Sequence, residues 1–124
     1  QNGGAIYCSR CEEFTVLSSF FQNNTAEVGG AIYLKTDLGM PIESQYLIAS
    51  STFENNTATI GGAVWTKNIN IGIYLSNFIY NSALSSELNR IEQEVVDGTG
   101  GAINFDCEDL ETCLVNISSN HFAW

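Results

Sequence analysis

Four cysteines hold the sharpest chemical potential in this chain of 124 residues, and they fall into two short-range pairs, Cys8/Cys11 and Cys107/Cys113. A C-x-x-C spacing is half of a zinc site, which gathers four thiolate or imidazole ligands around one ion. The two pairs stand at opposite ends of the sequence, and His121 is the only histidine. No zinc ligand set is therefore expected. Redox use of C-x-x-C needs a helix N-terminus to lower the thiol pKa, and the surrounding residues do not read as helix. Structural disulfides remain. Four cysteines allow three connectivities; local pairing, each bond closing one loop, is the favoured one. Disulfides imply an oxidising compartment.

Carboxylates are the second candidate chemistry. Asp106, Glu108, Asp109 and Glu111 crowd into the Cys107–Cys113 loop. Such a cluster could hold Ca²⁺ weakly or supply a catalytic acid pair. Inverting hydrolases, however, set two carboxyl groups across a cleft with room for water, and these four share one loop. Arg10, Lys35, Lys67 and Arg90 are scattered, so no cationic cradle for a uronate is visible. No nucleophile, base and oxyanion set appears, and His121 reads as structural or solvent-facing beside Phe122. The expectation is a solvated acidic loop, with no catalytic residue, no metal, no cofactor and no enzymatic activity. Three N-x-[ST] sequons, at Asn23, Asn55 and Asn116, add a third chemistry: N-glycosylation in a secretory pathway.

Composition narrows the partners. Fourteen acidic residues face four basic ones, for a net charge of −10. Phosphate neutralisation needs Lys and Arg, so nucleic acid is excluded, and anionic membrane surfaces are disfavoured. No apolar run reaches the ~20 residues of a membrane span, so direct membrane insertion by this segment is not expected. No signal peptide is visible; the chain opens inside a repeat at Gln1-Asn2-Gly3 and closes inside another at Phe122-Ala123-Trp124. It reads as a single β-helix domain over residues 1–124, a piece of a longer solenoid.

The elements that must position these groups are set by two alternating phrases. Gly29-Gly30-Ala31-Ile32-Tyr33 returns at Gly3–Tyr7, at Gly61–Trp65 and at Gly100–Asn104. Between its copies runs Ser19-Phe20-Phe21-Gln22-Asn23-Asn24, repeated around Phe53/Asn56 and Phe78/Asn81. Strict alternation means a repeat architecture. Phe53 to Phe78 spans 25 residues, which sets the basic coil. Longer intervals locate insertions near 36–44, which holds the only proline, and near 84–98, where Ser86–Val96 has helical composition with Ser available as a cap and predicts a short helix.

Within a coil, period-two alternation gives strands. Phe14, Val16 and Ser18 align with Tyr46, Ile48 and Ser50, with Ile71, Ile73 and Leu75, and with Val115, Ile117 and Ser119; this parity is expected to face inward. Ile6, Ile32, Val64 and Ile103 hold the inward parity of the Gly-Gly strand. The chain is thus all-β: a right-handed parallel β-helix of about four coils, a solenoid whose equivalent residues stack ~4.8 Å apart. Phe21, Phe53, Phe78 and Phe122 form one internal stack, Asn24, Asn56 and Asn81 an amide ladder at a corner, and the glycine pairs another corner. Tyr7, Tyr33 and Trp65 then form an outward aromatic row. It is the candidate contact surface for sugar rings or a partner, unless the insertions cover it or the rings only stack on one another.

The F-x-x-N and G-G-A-[IVL] alternation resembles the repeats of the chlamydial polymorphic outer membrane proteins and related pectin-lyase-like, right-handed β-helix repeats of secreted or surface proteins, including those of protists. The resemblance covers essentially the whole chain; Asn104, where the other copies carry an aromatic, and the insertion at Leu84 depart from it. It implies surface adhesins and structural stalks. The expected function is an extracellular or cell-surface structural or adhesive module, N-glycosylated and disulfide-bonded, within a surface or filamentous assembly. Its partners would be other copies or neighbouring coils of the same protein, or cell-surface glycans or proteins. The alternative is a polysaccharide lyase or hydrolase of the pectin-lyase type, because that fold also carries such enzymes.

Overall fold

The computed structural model of the chain describes residues 1–37, 45–84, 94–95, 101–108 and 113–123. Its described elements are all strands. The first coil contains β1 (Ile6–Ser9), β2 (Glu13–Leu17) and β3 (Phe20–Gln22). The second has β4 (Ile32–Lys35), β5 (Gln45–Ala49), β6 (Thr52–Glu54) and β7 (Thr57–Ala58), and the third β8 (Val64–Lys67), β9 (Ile71–Tyr74), β10 (Asn77–Ile79) and β11 (Ser82–Ala83). After β12 (Glu94–Val95) the fourth coil runs through β13 (Ile103–Asp106), β14 (Val115–Ser118) and β15 (His121–Ala123).

Equivalent strands pair in parallel, coil on coil, which is the parallel β-helix expected from the repeats. One sheet runs β1-β4-β8-β13, a second β2-β5-β9-β14, a third β3-β6-β10-β15, with the short β7-β11 pair at a further corner. The register is the one read from the phrases: Ile6, Ile32, Val64 and Ile103 share one row, and Phe14, Tyr46, Ile71 and Val115 another. Unequal spacing between copies does not shift the register of the paired rows. A one-residue slip would turn every inward side chain out.

The tube is filled by these rows. Ile32, Leu34, Ile48, Phe53, Val64, Ile73, Phe78 and Ile103 are fully buried. The four phenylalanines stack with ring centroids 4.8, 4.8 and 5.0 Å apart, the strand spacing itself. The glycine corner needs both its residues. Gly29 sits at φ +63°, where a side chain is strained, and a Cβ on Gly30 would collide with the Gly62 carbonyl oxygen of the next coil.

Two expectations are corrected. Ser18, Ser50, Leu75 and Ser119 do not continue the inward parity. All four adopt positive φ, between 47° and 56°, and their side chains are exposed. The strand ends there in a left-handed corner, which breaks the period of two. The helix over Ser86–Val96 fails at its end: Glu94–Val95 is a strand, paired antiparallel with Asn104 and Phe105 along the far edge of the β1-β4-β8-β13 sheet. Most of that segment, and residues 38–44 of the proline loop, lie outside the described residues.

Candidate functional site

The asparagine corner is bonded from coil to coil by its side-chain amides. Asn56 Oδ1 accepts from the backbone N–H of Asn24 at 3.0 Å and from its side-chain amide at 2.9 Å. Asn81 Oδ1 accepts the same pair from Asn56, at 3.0 and 2.9 Å. Each amide also donates backwards: Asn56 Nδ2 to the Phe21 carbonyl at 3.0 Å, Asn81 Nδ2 to that of Phe53 at 2.8 Å. The chain can turn here because the preceding residue in each coil, Asn23, Asn55 or Tyr80, takes φ between 54° and 57°. Asn tolerates that region better than most residues. The sequon residues Asn23 and Asn55 therefore project outward and are exposed, as is Asn116 on β14, while Asn56 is fully buried.

A second ladder escaped the sequence reading. At the left-handed corner before β3, the Ser19 N–H donates to Ser51 Oγ, Ser51 N–H to Ser76 Oγ, and Ser76 N–H to Asn120 Oδ1, at 3.1, 3.2 and 2.9 Å. The serine hydroxyls turn back onto the Leu17, Ala49 and Tyr74 carbonyls, and Asn120 Nδ2 onto that of Ile73. The signal was the serine heading each Phe phrase; it was hidden because the fourth member is Asn.

The aromatic row forms in register but not as an open platform. Tyr7, Tyr33 and Trp65 stack with centroids 4.9 and 4.6 Å apart. Tyr7 is 58% exposed, yet Tyr33 and Trp65 keep only 7% and 8% of their surface. The inner ring has both faces covered by its neighbours, and the first three residues of β4, β8 and β13 are buried on both faces of the sheet. Burial raises the Tyr33 hydroxyl pKa. As a contact surface the row reduces to Tyr7. The next position in the row is Asn104, 2% exposed, and both polar atoms of its amide lack a partner, the only such side chain among the described residues.

The cysteines pair locally, Cys8 with Cys11 and Cys107 with Cys113, both at a Cα separation of 6.0 Å. They close the same corner, after the first strand of the coil, at opposite ends of the tube. The Tyr46 hydroxyl donates to the Cys11 carbonyl.

Against the second of these loops lies Lys67, the last residue of β8, which the sequence alone shows only as a scattered cation. Its ammonium lies 2.7 Å from Glu108 and 3.3 Å from Asp106. The hydrogen bond to Glu108 raises the Lys67 pKa and lowers that of Glu108. Asn68 and Asn70 pin the loop from the coil below, accepting from the Glu108 and Leu114 backbone N–H groups. Two carboxylates of the acidic cluster thus serve a cross-coil cation; Asp109 and Glu111 lie outside the described residues. No group of three or more metal-ligating side chains occurs among the described residues. His121 is exposed on β15, beside Asn77 of the coil below.

The repeat of the Chlamydia polymorphic membrane proteins matches the chain twice, over residues 18–35 and 50–67. Both matches cover the same arc of a coil, from the left-handed serine through the Phe strand, the Asn ladder and the glycine corner to the lysine that ends the next strand. The resemblance carried by F-x-x-N and G-G-A-I thus falls on the residues that form the ladders. No curated protein and no solved structure matches the chain.

Proposed function

We propose that this chain is a structural or adhesive β-helix module displayed outside the cell or on its surface, without enzymatic activity. The observation that carries the reading is where its polar side chains are used. The Asn and Ser ladders spend their hydrogen bonds on neighbouring coils, and Lys67 engages Asp106 and Glu108. Two local disulfides fit an oxidising compartment, and the matched repeat is described as that of membrane proteins. A stack of this kind is rigid and extends by adding coils, which suits a stalk, a filament or a surface on which partners dock. Partners are other copies or neighbouring coils, or cell-surface glycans or proteins. Exposure of Asn23, Asn55 and Asn116 supports N-glycosylation at these positions.

The test has two arms. Beads coated with the purified chain should be retained on cell monolayers above beads bearing an unrelated protein of equal charge. A panel of polyuronates, with and without Ca²⁺, should give no turnover. Turnover lost on Asp106→Ala would replace the structural reading with the lyase or hydrolase one. Glycopeptide mass spectrometry of native material should find sugar on Asn23, Asn55 or Asn116 and none on Asn24 or Asn56; three bare sequons would remove the glycoprotein part.

A further inference from the structure

We infer that the outer face of the β2-β5-β9-β14 sheet binds a neutral saccharide, with Tyr74 as the stacking surface. The outward rows of this sheet are Thr15–Leu47–Gly72–Asn116 and Leu17–Ala49–Tyr74–Ser118. Gly72 leaves a notch between Leu47 and Asn116. The Tyr74 ring lies down into it, so closely that a Cβ on Gly72 would collide with the ring. A groove of about 280 Å³ opens above, lined among others by Gln45, Asn70, Gly72, Tyr74, Leu114 and Asn116.

The chemistry of this lining selects the ligand. Among the described residues no charged side chain lines the groove, in a chain with 14 acidic residues. An ion would find no counter-charge among these lining residues. An aromatic ring, an exposed leucine and three amides are what a pyranose presents to: apolar C–H faces for the ring, and hydroxyls that both donate and accept for the amides. Asn70 is held in place, since its Oδ1 accepts from the Leu114 N–H at 2.6 Å. The volume lies just below the range of small-molecule sites, ~300 Å³ and upward, so one ring sits in the groove and further rings run along the open sheet. Asn116 is also a sequon residue. The sugar therefore has two sources: an external saccharide, or the first residue of a glycan on Asn116 itself. Biological use of the site rests on the adhesive reading; binding does not.

The experiment uses the chain made in bacteria, without glycans, and three neutral trisaccharides built of glucose, N-acetylglucosamine or mannose. Saturation-transfer NMR should show transfer to at least one of them, with shifts of the Tyr74 ring resonances, and no transfer to a triuronate. Tyr74→Ser should weaken binding at least about tenfold, the loss of ~1.4 kcal/mol, while Tyr74→Phe keeps the ring and the affinity. Tyr80→Ser, at an exposed corner away from the groove, should change nothing. In chain secreted from eukaryotic cells, a glycan on Asn116 that shifts the same Tyr74 resonances and blocks the trisaccharide identifies the internal source; a bare Asn116 with binding intact identifies the external one. No transfer to any neutral sugar, equal binding of the triuronate, or full affinity in Tyr74→Ser overturns the inference. Sugar binding without retention on cells would remove only the adhesive reading.

Discussion

Replacing Asn56 by Ala tests whether the amide ladder, rather than the apolar fill alone, holds the coils together. Asn56 is fully buried and its side chain makes four hydrogen bonds, two accepted from Asn24 and one each donated to Phe21 and Asn81. The two buried groups left stranded cost ~1–3 kcal/mol each and the other two bonds a net ~0.5 kcal/mol each, for a loss of about 3–7 kcal/mol. Asn24 N–H and the Phe21 carbonyl are the stranded groups. Against a total stability of ~5–15 kcal/mol this is a large fraction. Urea unfolding followed by far-UV circular dichroism should show the midpoint falling by roughly 2 M with an unchanged slope. Asn55→Gly, one residue earlier on an exposed positive-φ corner, should stay within about 0.5 kcal/mol because Gly accepts that backbone. Asn56→Asp keeps the acceptor but turns a carboxylate toward the Asn81 and Phe21 oxygens. Its folded pKa is then raised, so the penalty is absent below the ordinary ~3.9 and grows as pH rises through that value. An Asn56→Ala chain as stable as the parent would refute the ladder argument outright.

Other changes follow from the same rows. Phe53→Ala, at the middle of the ring stack with both faces covered, should cost about 3–5 kcal/mol, and a midpoint unchanged in urea would contradict the inward assignment. Asn104→Leu removes the unpartnered amide beside Trp65 and should stabilise by about 1–3 kcal/mol; a lower melting temperature would mean that the amide has a use. For the Lys67–Glu108 contact, Glu108 has a depressed folded pKa, so its contribution is present above ~4.3 and lost as pH falls through the folded value. Lys67 has a raised one, so its contribution is present below ~10.4 and lost as pH rises through the folded value. A carbon-detected titration should find the Glu108 midpoint below the ordinary carboxylate range, and Lys67→Met should return it there; identical midpoints would rule the contact out.

The register was legible because it is written four times. Ile6, Ile32, Val64 and Ile103, or the four stacked phenylalanines, differ in spacing but not in phrase, and a solenoid allows only one alignment of such phrases. The Asn corner was legible for a related reason: an amide that repeats at a corner meets its own copies in the neighbouring coils. What was lost is what repetition does not encode. Ser18, Ser50, Leu75 and Ser119 sit where strand periodicity ends, and alternation cannot announce its own end. The burial of Tyr33 and Trp65 depends on what covers the sheet from outside, which no intra-strand pattern reports. Lys67 meets Asp106 and Glu108 only after a coil of chain has closed, so no local spacing joins them. The Tyr74 groove arises from Gly72, a single absence of side chain whose meaning needs the neighbouring rows.

The reciprocity of the Asn ladder bears on how such a chain can change its length over generations. Asn56, the middle member, accepts from the coil on one side and donates to the coil on the other. A duplicated coil thus arrives with one acceptor and one donor to offer, and splices into the series without leaving an additional group unmet. A partial duplication would not, since it would bring Phe without its Asn or Gly-Gly without its ladder. Gene growth by whole coils of ~25 residues is therefore nearly neutral for folding, while fractional changes are tolerated only at corners such as the one after Ala83, outside the ladders. Length polymorphism among relatives should come in such quanta.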